Sequence, residues 1–133
     1  MHIELRNIEG MSAPSTYHHV SIARGRRLIH MAGQVGTGDD GALADGLAAQ
    51  AEQAMRNVER ALRAAGATPN DLAKLTVYVV DWDQSKLQEL GAGLFAAAEE
   101  PWPQVPITLI GVAALFEPGM LIEIEGVAVA DGD

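Results

Sequence analysis

Apolar and polar positions alternate most clearly in the last quarter of the chain. In residues 105–130 (VPITLIGVAALFEPGMLIEIEGVAVA), Ile107, Leu109 and Gly111 interleave with Thr108, Ile110 and Val112. Glu117-Pro118-Gly119 then supplies turn chemistry, because proline presets φ and glycine accepts a positive φ. A second run, rich in Ile and Val, extends from Leu121 to Ala130. The pattern predicts two strands joined by a turn, read as a closing hairpin. Glu123 and Glu125 are two residues apart, so a strand puts both carboxylates on one face. Carboxylates on a buried face are costly. Either that face is wet or it needs acids.

Earlier in the chain, residues 2–7 (HIELRN), 17–23 (YHHVSIA) and 28–32 (LIHMA) read as short strands. The second and third are expected to form a hairpin across Gly25-Arg26-Arg27. Residues 9–15 and 33–41 read as loops. Leu47, Ala51, Ala54, Met55, Val58, Leu62 and Ala65 recur at steps of three and four, the apolar stripe of a helix. Asp45 is its expected N-cap and Gly66 its C′ residue. Glu52 with Arg56 and Glu59 with Arg63 are favourable i,i+4 pairs. Residues 73–80 alternate as a strand, with Leu75, Val77 and Val79 expected to face the helices and Thr76 and Tyr78 the other side. A second helix is expected from Gln84 to about Glu99, capped by Asp83, with Leu87, Leu90, Leu94 and Phe95 on one side. Pro101-Trp102-Pro103 ends it. The order β, β, β, α, β, α, β, β predicts an α+β fold, its two helices on one face of a mixed six-stranded sheet. The opposite face is too apolar to stay wet and too polar for a core, so it is expected to pack on copies of the chain.

The chain has 133 residues and is expected to form a single domain, residues 1–133, with a real core. No apolar run is long enough to span a bilayer, and no signal-peptide pattern begins the chain, so a soluble cytoplasmic protein is expected. With no cysteine there is no thiol nucleophile and no disulfide framework. The net charge of −9 repels phosphate backbones and speaks against nucleic acid as a partner. Arg24, Arg26 and Arg27 are the one basic cluster, and solvated charge is its default reading. His18 and His19 point to opposite faces of a strand, and His30 stands alone in its strand, so no metal site is expected. No cofactor is implied.

Several segments together resemble the RidA (YjgF/UK114) family. Ala32-Gly33-Gln34-Val35-Gly36 resembles its Ser-Gly-Gln segment. Ala48-Ala49-Gln50-Ala51, Asn57-Val58 and Ala64-Ala65-Gly66 resemble its first helix. Asp71-Leu72 with Lys74-Leu75-Thr76-Val77-Tyr78-Val79 resembles its middle strand, and Gly111-Val112-Ala113-Ala114-Leu115 with Leu121-Ile122-Glu123-Ile124-Glu125 its closing segment. The resemblance implies a chorismate-mutase-like fold and a homotrimer with small-molecule clefts between subunits. It also implies hydrolysis of enamines or imines of 2-keto acids to ammonia and the keto acid, without metal or cofactor.

Position by position, the resemblance makes Glu123 the water-orienting base. It makes Tyr17 and Thr108 cleft residues, and it places Ala32 where the family has a serine. Ile107 takes the place of the arginine that grips the substrate carboxylate, and no Arg or Lys follows Lys86. Glu125 is expected in a structural ion pair. An altered substrate preference follows, toward a neutral, cationic or bulkier ligand. A trimer that binds a metabolite or a partner without catalysis is the alternative.

Overall fold

The computed structural model describes residues 2–98 and 101–132. Six strands and two helices follow one another as β1 (Ile3–Arg6), β2 (Val20–Ala23), β3 (Arg27–Val35), α1 (Leu47–Ala64), β4 (Leu72–Val80), α2 (Leu87–Ala96), β5 (Ile107–Val112) and β6 (Ile122–Ala130). The α+β order matches the sequence expectation.

The pairing does not follow sequence adjacency, and the expected six-stranded sheet divides in two. β3, β6, β4 and β5 lie side by side in that order, while β1 and β2 form a separate two-stranded ribbon. β2 therefore makes no hairpin with β3; it runs antiparallel to β1, with Ile3 opposite Ala23. Two contacts hold this arrangement. Arg24 donates its backbone N–H to the carbonyl of His2 at 2.7 Å. The Ser21 hydroxyl donates to the Ala73 carbonyl at 2.6 Å. Ala73 sits where the register between β4 and β6 slips, between Leu72 and Lys74, so a bulge frees that carbonyl for the ribbon.

β5 and β6 are likewise not a hairpin. β4 lies between them, parallel to β5 and antiparallel to β6. The Glu117-Pro118-Gly119 turn forms as expected, with Gly119 at φ 91° and Met120 N–H bonded to the Glu117 carbonyl. It carries the chain over the end of β4 instead of folding β6 back on β5. Gln50, the buried polar side chain of the core, fixes this crossing. Its amide donates to the carbonyls of Ala44 and Gly119 and accepts from Leu121 N–H at 2.9 Å.

α1 buries the expected stripe, from Leu47 through Ala51, Ala54, Met55 and Val58 to Leu62. Gly46, not Asp45, is its N-cap, without a side-chain bond. Gly66 follows the helix at φ 73°, the left-handed C′ position. The two i,i+4 pairs form, Arg56 to Glu52 at 3.5 Å and Arg63 to Glu59 at 2.9 Å. Asp83 caps a 3-10 turn at Gln84–Lys86 through Ser85 N–H; hydrogen bonding from the Ser85 side chain, and then from that N–H, holds its carboxyl below the usual range. α2 starts only after that turn, at Leu87, and closes at Ala96; the expected end at Glu99 lies outside the described residues. Its apolar side is narrower than expected. Leu90 is buried, but Leu87 and Phe95 are exposed. The contact is made by Gly93, where a Cβ would stand 2.3 Å from the Ala48 carbonyl oxygen. Backbone meets backbone there, which leaves little for the flanking side chains to cover.

The core lies between the helices and one face of the four-stranded sheet. Leu75, Val77 and Val79 of β4 and Ile122, Ile124 and Ala128 of β6 all point into it.

Candidate functional site

The other face of the four-stranded sheet carries the polar groups. Register places them in rows across the strands. Glu125 of β6 is beside Thr76 of β4, which is beside Thr108 of β5. The next row holds Glu123, Tyr78 and Ile110; the row before holds Val127 and Lys74, with His30 of β3 opposite Val127. Rows two residues apart along a strand are separated by about 6.6 Å. Lys74, Thr76, Tyr78, Glu123 and Glu125 are all half-buried, so water reaches each without hydrating it fully.

The two carboxylates differ in surroundings. Glu125 accepts a short hydrogen bond, 2.5 Å, from the Tyr78 hydroxyl. This replaces the ion pair expected for it. The same bond, with partial burial and the charges of Glu125 and Glu123, raises the Tyr78 pKa above its ordinary value of 10.0. Tyr78 is therefore a donor at physiological pH and occupies one oxygen of Glu125. Glu123 lies against the backbone of β3. A Cβ on Gly33 would stand 2.5 Å from both its Cδ and its Oε2, so glycine is required for the carboxylate to lie there. That glycine belongs to an irregular stretch, where the β3–β6 register shifts between Met31 and Gln34. Ala32 is the exposed residue of the same stretch.

Of the residues singled out in the sequence, Glu123, Thr108 and Ala32 thus border one surface. Ile107 does not. It is opposite Leu75 in register and packs with the core on the helix side. Tyr17 precedes β2, with its ring edge-on to His19 at 6.3 Å. His18 and His19 are committed to the Gln104 carbonyl and the Ile8 N–H, respectively. No group of three or more potential metal ligands occurs among the described residues. Arg27 of the basic cluster donates to the carbonyls of Ala65 and Gly66 at 2.6 and 3.3 Å, so it closes the end of α1. Three contributors were not singled out: Gly33, Tyr78 and Lys74. Period-two alternation put Tyr78 on the Thr76 face, and carried back one step from Thr76 it reaches Lys74; that was the available signal.

Two α-helices on one side of a mixed sheet, with an acid-bearing face on the other, define the class: a small α+β protein with an open, polar sheet face opposite its helices. The family follows from comparison. The Endoribonuclease L-PSP family model matches residues 10–130, and the chain belongs to this family, known also as the YjgF/RidA or Rid family. A Rid-family protein of unknown function from Yersinia pestis is 36% identical, with a TM-score of 0.86 over 98% of this chain and 100% of that one. A member of the YjgF/YER057c/UK114 family from Mycobacterium tuberculosis is 31% identical, at a TM-score of 0.63 over 96% and 99%. RidA from the Antarctic bacterium Psychrobacter is 28% identical, at 0.67 over 95% and 98%. No curated protein matches the chain. No helix among the described residues is long and apolar enough to cross a membrane.

Proposed function

We propose that this chain is a cytoplasmic homotrimer that binds a small molecule in clefts between subunits and hydrolyses the C=N bond of an imine, or of an enamine through its imine tautomer. The observation that carries the reading is the pairing of a held acid with a free one on a half-buried sheet face. Tyr78 engages Glu125, while Glu123 is backed by Gly33 and has no side-chain partner among the described residues. A free, half-buried carboxylate is suited to take a proton from water as it attacks the iminium carbon. Returning that proton to the nitrogen of the carbinolamine lets the C–N bond break: ammonia leaves and, as the hydroxyl proton is lost, the carbonyl compound remains. Thr108 orients the substrate from β5, and Ala32 lines the cleft beside Gly33. Tyr17, remote from the acid pair in sequence and exposed, is assigned to the cleft from a neighbouring subunit.

Trimer formation accounts for the mixed character of this face. Val127 and Ile110 share it with the acids, and covering them while leaving seams open gives clefts rather than a sealed interface. The absence of any Arg or Lys after Lys86 favours one other reading, a trimer that binds a metabolite or a protein partner without turnover. An ammonia-release assay separates the two. Imines generated from a panel of amino acids by an amino-acid oxidase are expected to lose ammonia faster with the protein present. Inertness across the panel, with binding retained, supports the non-catalytic reading. Light scattering on the eluting protein is expected to give three times the 14.1 kDa chain mass; a monomer mass removes the inter-subunit cleft.

A further inference from the structure

We propose that the outer side of α2 is a docking surface for a partner protein, and that it takes an amphipathic helix with basic flanks. The surface lies in the helix layer, so the proposal is independent of what the open sheet face binds.

The two helices of that layer differ on their outer sides. α1 turns Glu52, Arg56, Glu59, Arg60 and Arg63 away from its buried stripe. α2 has ten residues, LQELGAGLFA, and of these only Gln88 and Glu89 are polar. It buries Leu90 and Gly93. Other apolar residues stay outside. Phe95 is 71% exposed and Leu87 55%, and Ala92 and Ala96 are exposed with them. A helix that is apolar on both sides is normally covered on both. Leu87, Gly91 and Phe95 recur at steps of four, so they form one ridge about 12 Å long. A Cβ on Gly91 would meet the Phe95 ring at 3.8 Å and nothing nearer. The middle of the ridge is therefore a shallow step, in which side chains of a second helix can seat.

Charge selects the occupant. Asp81 and Asp83 precede α2 and Glu89 stands in its first turn, all three exposed. Lys86 is the cation beside them, and its ammonium donates to the Asp81 carbonyl at 2.7 Å. Arg56 reaches the other end of α2, at the Ala96 carbonyl, and pairs with Glu52 at 3.5 Å. The chain as a whole carries −9. That charge repels a nucleic acid or an anionic bilayer, and it repels a second copy of the chain. A helix with an apolar stripe between basic residues meets attraction at the rim and burial at the centre.

Fluorescence anisotropy on the whole protein tests this with three labelled synthetic peptides, each of about five helical turns. One places Leu and Lys at the helical period, one places Leu and Glu at the same period, and the third scrambles the first. The periodic Leu/Lys peptide is expected to bind, and Phe95→Gln and Leu87→Gln each to weaken it about tenfold or more. Phe116→Gln removes an apolar side chain that is 91% exposed outside α2, and it is expected to leave binding unchanged. The Leu/Glu and scrambled peptides are expected to bind about tenfold more weakly or not at all. Undiminished binding to Phe95→Gln, equal binding of the scrambled peptide, or no binding of the periodic Leu/Lys peptide overturns the proposal. Sedimentation velocity and flotation with phosphatidylglycerol vesicles cover the other occupants. A smaller assembly in Phe95→Gln than in wild type assigns the face to a second copy. Flotation of wild type that Phe95→Gln abolishes assigns it to a membrane. Either result overturns the proposal. Imine turnover plays no part in these readouts.

Discussion

The two faces of the four-stranded sheet are built from the same strands and differ at every alternate residue. On β6, Ile122, Ile124 and Ala128 are buried under the helices, while Glu123, Glu125 and Val127 between them are half-buried on the open side. On β4, Leu75, Val77 and Val79 oppose Lys74, Thr76 and Tyr78 in the same way. One face holds large aliphatic side chains against two helices and derives its stability from removing them from water. The other spends the same strand length on groups that stay reactive only if they are not fully buried. Neighbouring residues on one strand therefore belong to different problems. A substitution should affect stability or chemistry according to its parity, not its distance along the chain.

The largest expected effect lies on the helix side. Ile124 is fully buried, and Ile124→Ala is expected to cost about 2–5 kcal/mol in denaturant unfolding, as deletions in close-packed cores do. A loss below about 1 kcal/mol would mean that the helix-covered face is not the core. Gly33→Ala comes next and should separate the two properties. Its new Cβ meets the flexible end of Glu123 rather than backbone. The carboxylate is expected to swing away, leaving the unfolding midpoint nearly unchanged while any hydrolytic rate falls at least tenfold. Parallel losses of stability and rate would show that Gly33 serves the fold alone. The smallest effect is spectroscopic. The chain has two tyrosines, and an ultraviolet titration should show one ionising above 10.0, the ordinary value. Glu125→Gln should bring it down, because the hydrogen bond to that carboxylate is the largest cause and, after burial, its charge adds to it. The folded protein keeps that proton where the unfolded chain releases it. Tyr78 thus favours folding fully below pH 10.0, and this contribution is lost as pH rises through the raised value.

Parity is also what the sequence showed best. The alternation in residues 73–80 and 121–130 identified the helix-facing set and placed both acids on the other side. The helical stripe from Leu47 to Leu62 and the Gly66 terminus were equally plain. Strand partners were not. Adjacency suggested hairpins for β2 with β3 and for β5 with β6, but Ser21 bonds to a carbonyl 52 residues away, and β4 enters between the last two strands. Such pairings depend on a bulge and on a crossing fixed by Gln50, neither of which has a local signature. The site suffered for the same reason. Lys74 and Thr108 are 34 residues apart and meet only because β4 and β5 are parallel neighbours. Ile107 looked like a cleft residue by resemblance, yet its register with Leu75 turns it to the core. The place of Glu123 on the open face was legible because its strand and its parity pointed the same way.

Glu123→Gln offers the most direct test that the open face carries chemistry rather than packing, since the amide keeps the shape and removes the base. The quantity to measure is the rate of ammonia release on the best imine of the panel, with the unfolding midpoint of the same preparation. The account predicts a fall of about a hundredfold or more in rate at an essentially unchanged midpoint. A variant as fast as wild type would contradict it, and would remove Glu123 from the reaction.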